Sequence, residues 1–547
     1  MEASAFKKRI RDARMKHFTI SFKPDGKQIS IHSGATVMEA AGQAGIILNT
    51  ICGGKGTCKK CLIKLEPDGQ EVLACQYRIT SDLTVIIPEE ARFFEHKILA
   101  HGIETEIEES AGIYEKYLGT TSADKIFGIA VDIGTTSVVA KLINMIDGQC
   151  LATEAALNPQ SKYGDDVISR IAYAHNKENL SELHRVITDC IKDLVAKLCI
   201  KTGIAANLIY EMCVVGNTTM NHIFLELPVS QLGQAPYKAF SLESHDLSAG
   251  KLHIAMNPAG NIHTVENIAG FVGSDTTAVA LAVDIDSAGE MTLVVDIGTN
   301  GELVLGTKDQ LYAASCAAGP ALEGARITCG SRAAKGAIEA VVVNEGDIDL
   351  DVIGNCPARS ICGSGLIDAV AVMLELGVID LTGRFVEPAK LEGKVTPAIL
   401  SRISEQDGEP AFVLSENNNG YRVFLRQKDI RETQLAKAAI RAGIKLLQKR
   451  IGLVDDDIEH VLLAGAFGNY IRKESALRIG LLPNVPPERI VFVGNAASSG
   501  ARMALVSQHY RDKSRELAKK IEYIEIAHEP EFQDVFADSI LFYDADF

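Results

Sequence analysis

FGIAVDIGTTSVVAKLI, residues 127–143, is an apolar run that delivers an aspartate, a glycine and two threonines before turning apolar again, and LVVDIGTNGELVLG, residues 293–306, repeats it. Each reads as a strand, a tight Asp-Ile-Gly-Thr turn and a second strand. The echo continues in the same order: MCVVGNTTMNHIF (212–224) returns as VLLAGAFGNYI (461–471), and IAGFVGSDTTAVALAV (268–283) as IVFVGNAASSGARMALV (490–506), each read as a strand ending in glycine and feeding a helix. Units this long are too large for a solenoid repeat, so the pattern predicts an α/β unit duplicated in tandem. The turn chemistry follows from its residues. The leading strand carries Asp132 or Asp296 to its end, Gly134 or Gly298 lets the backbone approach a phosphate, and Thr135, Thr136, Thr299 and Asn300 bring side-chain and N–H donors. Two such hairpins would grip one polyphosphate from opposite sides. Their aspartates would hold a hydrated Mg²⁺, whose shell usually takes one or two carboxylates, phosphate oxygens and water. One such tetrapeptide often marks only a turn; two at matching positions predict a nucleotide cleft.

The rest of the chain sets its class. At 547 residues there is room for several domains, and 47% hydrophobic with 23% charged residues is ordinary for a soluble globular protein. No apolar run approaches the roughly 20 residues that span a bilayer, and the basic start MEASAFKKRIRDARMKH lacks the apolar core of a signal peptide. The expectation is a cytoplasmic protein with no membrane association. A formal net charge of −16 argues against broad nucleic-acid binding and favours small-molecule or protein partners.

Twelve cysteines fall into two groups. Eight are scattered through apolar or glycine-rich sequence, where free cysteine commonly serves as a small core residue. Cys52, Cys58, Cys61 and Cys75 follow the pattern C-x5-C-x2-C-x13-C, which in a reducing compartment points to metal. Zinc favours paired C-x2-C ligands. The GGKGT between Cys52 and Cys58 instead suits a loop that wraps tightly and aims backbone N–H groups at sulfides, as around an iron–sulfur cluster; zinc stays the alternative on ligand chemistry. The flanks read as HFTISF and QISIH joined at KPDGK, a short helix in SGATVMEAAGQAG with Ser33 as N-cap, a hairpin CLIKLEPDGQEVLAC turning at Asp68-Gly69, and a closing strand DLTVIIP. This is a β-grasp order, and it sets a first domain over 1–88 with its core in 17–88. Residues 89–125, rich in Glu and Lys without sustained alternation, read as a solvated, partly helical linker.

On these motifs residues 17–88 resemble 2Fe-2S ferredoxins, although the 13-residue gap before Cys75 is shorter than in plant-type or adrenodoxin-type members. The resemblance makes Cys52, Cys58, Cys61 and Cys75 the cluster ligands. Residues 126–547 resemble the ASKHA superfamily of actin, Hsp70 and sugar-kinase ATPases. That likeness implies two lobes, about 126–290 and 291–547, around a cleft. DIGTTS and DIGTNGE would be its phosphate motifs, and Gly465, Ala466, Phe467 and Gly468 its adenosine motif. Within this frame NPQSKYGDDVISRI (158–171) offers Asp166 to orient the attacking water, against the simpler reading of a helix-start carboxylate. AAGPALEGARI (317–327) would bring Glu323 toward the ribose, and CGSGLIDAV (362–370) starts a helix near the lobe junction or simply packs one against a strand.

The two parts on one chain resemble the reductive activators of corrinoid proteins, and CGGKGTCKKC, LACQ, VDIGTTSVVAKL, NPQ, VVGNTTM, DIGTNGE and ICGSGLIDA carry that likeness. It implies an ATP-hydrolysing enzyme that returns Co(II) on a corrinoid partner to Co(I), in anaerobic methyl-transfer systems such as O-demethylases. The implied cofactors are a 2Fe-2S cluster, ATP and Mg²⁺. The implied partners are the corrinoid protein, a low-potential donor such as ferredoxin or flavodoxin, and a second copy in a homodimer. Two readings compete: a small-molecule kinase of the same fold with a redox-sensing domain, and a noncatalytic actin-like scaffold with a structural metal module. Stimulation by small substrates would mark the first, and a colourless protein the second.

Overall fold

The computed structural model describes residues 16–24, 26–44, 46, 48, 61–88, 113–117, 125–324, 326–417, 420–465 and 471–543. Near the N-terminus β1 (His17–Lys23), β2 (Lys27–His32), β3 (Leu62–Glu66), β4 (Gln70–Leu73) and β5 (Leu83–Ile86) form a sheet of order β2-β1-β5-β3-β4, in which β1 and β5 run parallel. Alternation along the strands buries Ile20, Phe22, Ile63, Leu65 and Val85 in one core with Val37, Ala40 and Ala41 of the helix Val37–Gln43. Thr36 caps this helix, not Ser33. Thr36 and Glu39 form a reciprocal capping box, with the Thr36 hydroxyl accepting from the Glu39 N–H at 3.1 Å. Ser33 and Gly34 make the turn before it, with Gly34 at φ +87°.

The duplication is visible in two six-stranded sheets. In the first, β6 (Phe127–Ile133), β7 (Ser137–Asn144) and β8 (Cys150–Leu157) form an antiparallel meander. With β9 (Ile209–Gly216), β10 (His245–Ser248) and β11 (Asn261–Thr264) the order is β10-β11-β9-β6-β7-β8. The second sheet opens with the same meander, β12 (Thr292–Ile297), β13 (Gly301–Gly306) and β14 (Leu311–Cys316). Two three-stranded sheets follow: β15 (Ala337–Asn344), β16 (Asp347–Val352) and β17 (Ser360–Ile361); then β18 (Ile403–Gln406), β19 (Glu409–Glu416) and β20 (Arg422–Arg426). The chain returns through β21 (His460–Ala464), β22 (Ile490–Gly494) and β23 (Ile521–Tyr523) to complete the order β22-β21-β12-β13-β14-β23. Apart from the edge strands β10 and β23 the two orders correspond. Each meander is backed by a long helix, Lys177–Thr202 on β7 and β8 and Gln427–Ile451 on β13 and β14.

One repeat element departs from expectation. IAGFVG (268–273) is not a strand; the sheet position belongs to the earlier β11. A Cβ on Gly273 would stand 2.4 Å from the Asn217 Cα, so backbone here packs on backbone in place of pairing in the sheet. The helices that follow in each half, Ser274–Ala282 and Ala496–Val506, pack on each other and share a core with Val294 and Leu462 of the second sheet and Cys213 and Val215 of the first.

Most of the linker lies outside the described residues. Its segment Ile113–Tyr117 is docked, not solvated: Ile113 is buried, and the Tyr117 hydroxyl donates to Glu211 at 2.7 Å, where Arg511 also donates at 3.0 Å. The N-terminal sheet touches the second half where the His17 ring meets the Asp351 carboxylate at 2.6 Å. Of the scattered cysteines, Cys213, Cys316 and Cys362 are buried, and Cys150, Cys190, Cys199, Cys329 and Cys356 are half-buried. Among the described residues no helix is long and apolar enough to cross a membrane.

Candidate functional site

The two Asp-Ile-Gly-Thr turns face one cleft. In the first, the Gly134 N–H donates to the Ser137 carbonyl at 2.9 Å and closes the tip between β6 and β7. Three side chains brace it. Asn158 donates to the Gly134 carbonyl at 2.8 Å, Asn217 to the Thr135 hydroxyl at 3.0 Å, and Arg170 to the Thr135 carbonyl at 2.6 Å. Arg170 is fully buried, and burial pulls its pKa down to about 10. In the second turn the Gly298 N–H donates to the Asn300 carbonyl at 2.9 Å. Gly465, at the end of β21, sits at φ +92°, and a Cβ there would stand 2.6 Å from the Asp296 carboxylate. Only glycine lets this turn pass so close to the aspartate.

Four carboxylates gather beneath the tips. Asp132 pairs across to Val139 and Val215, and Asp296 to Glu302 and Ala464, equivalent places in the two sheets. Burial, then repulsion from Asp275, pushes the Asp132 pKa up to about 7, with Asn495 and Lys141 acting the other way. Asp296 is also raised to about 7, by burial and then by Asp275 and Asp132. Asp275 itself is raised to about 6 by burial, and Glu302 well above the usual range by burial, Asp275 and Asp296. Carboxylates that raise one another's pKa favour a cation brought between them. Among the described residues no three acidic, His or Cys side chains close around a point that would hold a bare ion. Mg²⁺ takes one or two carboxylates and fills its shell with phosphate oxygens and water, so a donor set of two aspartates at equivalent strand positions suits the expected ion.

The other expected residues divide. Asp166 serves as a helix cap: it accepts from the Ser169 N–H and hydroxyl, each at 2.7 Å, at the start of Val167–Tyr173. Its pKa is lowered, because these bonds and Arg326 and Arg170 outweigh the opposing effect of burial. This is the helix-start arrangement, and the capping bonds engage the carboxylate that the water-orienting reading would need. Glu323, expected at the ribose, lies between the hairpins: it accepts from the Thr299 hydroxyl and, at 2.9 Å, from the Thr136 hydroxyl. CGSGLIDAV packs a helix, Gly363–Glu375, so close to β15 that a Cβ on Gly365 would stand 2.3 Å from the Ile338 carbonyl. Ala466, Phe467 and Gly468 lie outside the described residues.

Asp275, Glu302 and the bracing trio Asn158, Arg170 and Asn217 were not singled out by sequence. A signal existed for Asp275. Aligning GFVGSDTT with VFVGNAAS sets Asp275 against Ala496, an acid in only one copy of a duplicated helix start.

At the N-terminal end, Cys61 leads into β3 and Cys75 follows β4. The Ala74 N–H donates to the Cys61 carbonyl at 3.0 Å and binds the two segments. Both side chains are buried and not joined in a disulfide, with sulfurs 3.3 Å apart. Two thiolates on one tetrahedral metal with bonds near 2.3 Å would lie about 3.8 Å apart, so the pair fits a shared metal after a small adjustment. Cys52 and Cys58 lie outside the described residues.

Residues 18–87 match the 2Fe-2S iron-sulfur cluster binding domain, 127–288 the RACo middle region, and 290–547 the C-terminal domain of RACo, the ASKHA domain. The chain is 33% identical to the corrinoid activation enzyme RamQ of Eubacterium limosum, over 95% of this chain and 98% of that one. It is 26% identical to the [Co(II) methylated amine-specific corrinoid protein] reductase of Methanosarcina barkeri, over 72% and 73%. A solved structure, the reductive activator for corrinoid,iron-sulfur protein, is similar with a TM-score of 0.71 and 30% identity, over 96% of this chain and 98% of that one.

Proposed function

The chain belongs to the reductive activators of corrinoid proteins, and from that premise we propose that it uses ATP to drive an electron from a 2Fe-2S cluster onto Co(II) of a corrinoid partner, giving Co(I). The observation that carries this reading is the meeting of two duplicated hairpins over carboxylates that burial and mutual repulsion hold above their usual pKa, on the same chain as a buried thiol pair. Gly134, Thr135, Thr136, Gly298, Thr299 and Asn300 would hold the polyphosphate. Asp132 and Asp296 would hold its Mg²⁺ through water, and Asp275, beside them, would orient the attacking water in place of Asp166. Gly465 would line the nucleotide with Ala466, Phe467 and Gly468. Cys52, Cys58, Cys61 and Cys75 would hold the cluster, which supplies one electron per cycle; an external low-potential donor such as ferredoxin or flavodoxin would restore it.

The coupling is a linkage. ATP assists an unfavourable reduction only if the cleft binds or turns over nucleotide differently with the partner in different states, and the partner must then act back on the cleft. Co(II) corrinoid protein is expected to stimulate ATP hydrolysis, and the same protein held as Co(I) or methylated to do so less. Steady-state ATPase assays under anaerobic conditions with each form read this out. Equal rates with all three would remove the coupling.

A further inference from the structure

The polyphosphate clamp already holds an anion. Glu323 accepts from the Thr299 hydroxyl of the second hairpin and, at 2.9 Å, from the Thr136 hydroxyl of the first, and the two hydroxyls lie 3.2 Å apart. One carboxylate thus fastens the two lobes at the hairpin tips. It is delivered by a fixed element. The turn Pro320–Glu323 packs against the helices Gly363–Glu375 and Gln427–Ile451 and is bracketed by Gly319 at φ +74° and Gly324 at φ +81°. A Cβ on Gly324 would stand 2.3 Å from the Ser331 carbonyl, so the turn backbone is held in place and Glu323 can leave the threonines only by swinging its side chain.

A carboxylate and a terminal phosphate compete for the same hydroxyl donors and repel each other at contact distance. We propose that Glu323 makes the clasp a sensor of the γ-phosphate, holding both threonines in the free and ADP-bound cleft and yielding them only to the triphosphate. The inference rests on the nucleotide reading of the cleft. ADP, without a γ-phosphate, leaves the clasp closed. ATP must displace it, and displacement frees the lobes from each other at the tips. A ligand shifts a two-state element only through differential contacts, and this clasp is a contact that only the triphosphate disturbs.

Calorimetric titration of the full-length protein with Mg²⁺ and either ADP or a non-hydrolysable ATP analogue, with steady-state ATP hydrolysis followed beside it, tests this in the wild type, Glu323→Gln and Glu323→Ala. The Gln variant keeps shape and one acceptor, so it guards against misfolding. Affinity for the analogue is expected to rise about tenfold in the Ala variant, the scale of one charge-assisted hydrogen bond, and by less in the Gln variant, with ADP affinity unchanged in both. Equal weakening of both nucleotides would make Glu323 a ribose contact. Loss of hydrolysis with both affinities unchanged would make it a base, and no change at all would make the clasp silent; each overturns the proposal. A wild type that binds neither nucleotide would instead remove the nucleotide reading, and the clasp's role with it.

Discussion

Asp132 and Asp296 work against the fold they sit in. A carboxyl whose pKa rises from 3.8 to about 7 keeps a proton in the folded protein that the unfolded chain has released. Stability conferred by that protonated form is present at low pH and is lost as pH rises from about 4 to about 7, after which it levels off. The nucleotide-free protein in chelator is therefore expected to melt at lower temperature at about pH 8 than at about pH 5. Mg²⁺ with an ATP analogue should flatten the dependence, because a bound cation offsets the repulsion, and Asp275→Asn should weaken it by removing the shared neighbour. Thermal melts across this range check both; an unchanged slope with ligand would mean that the carboxylates do not face the bound nucleotide.

The helices Ser274–Ala282 and Ala496–Val506 join the halves at Gly500, where a Cβ would stand 2.0 Å from the Ala278 carbonyl. An alanine in an exposed helix interior gains up to about 1 kcal/mol over glycine. Here Gly500→Ala should reverse the sign and destabilise by about 1–3 kcal/mol, because the contact is with backbone and the helices must part. Denaturant unfolding measures this, and an unchanged or higher midpoint would show that the helices slide freely. Sequence made the duplicated hairpins and the β-grasp order legible because strand alternation and glycine turns are local signals. It missed what depends on distant partners. Glu323 was placed by a turn that packs on two helices from elsewhere in the chain, and the strand at 268–273 was lost to backbone contact between Gly273 and Asn217. Two local choices fell differently: the helix-start reading of Asp166 stands in its capping bonds to Ser169, whereas Thr36, with Glu39 three places on, took the cap expected of Ser33. Docking of the linker end through Tyr117 onto Glu211 could not be read from its polar composition.

Across the whole molecule, the cleft and the thiol pair belong to separate sheets, and Tyr117, between them in the chain, is anchored beside the Glu211–Arg511 pair that joins the first sheet to the helix Gln508–Lys520. That anchor lies where the two halves meet. The account requires both ends to act in one cycle, so disabling either must abolish the same product. The most direct measurement is anaerobic spectroscopy of Co(I) formation from a Co(II) corrinoid partner, with a reduced low-potential donor and ATP. The wild type is compared with Cys75→Ala and Asp296→Asn. The account predicts ATP-dependent Co(I) bands in the wild type only. Cys75→Ala should lose visible cluster absorbance yet still bind ATP, and Asp296→Asn should keep the absorbance yet lose hydrolysis. Co(I) formed at the wild-type rate without ATP, or by either variant, would contradict it.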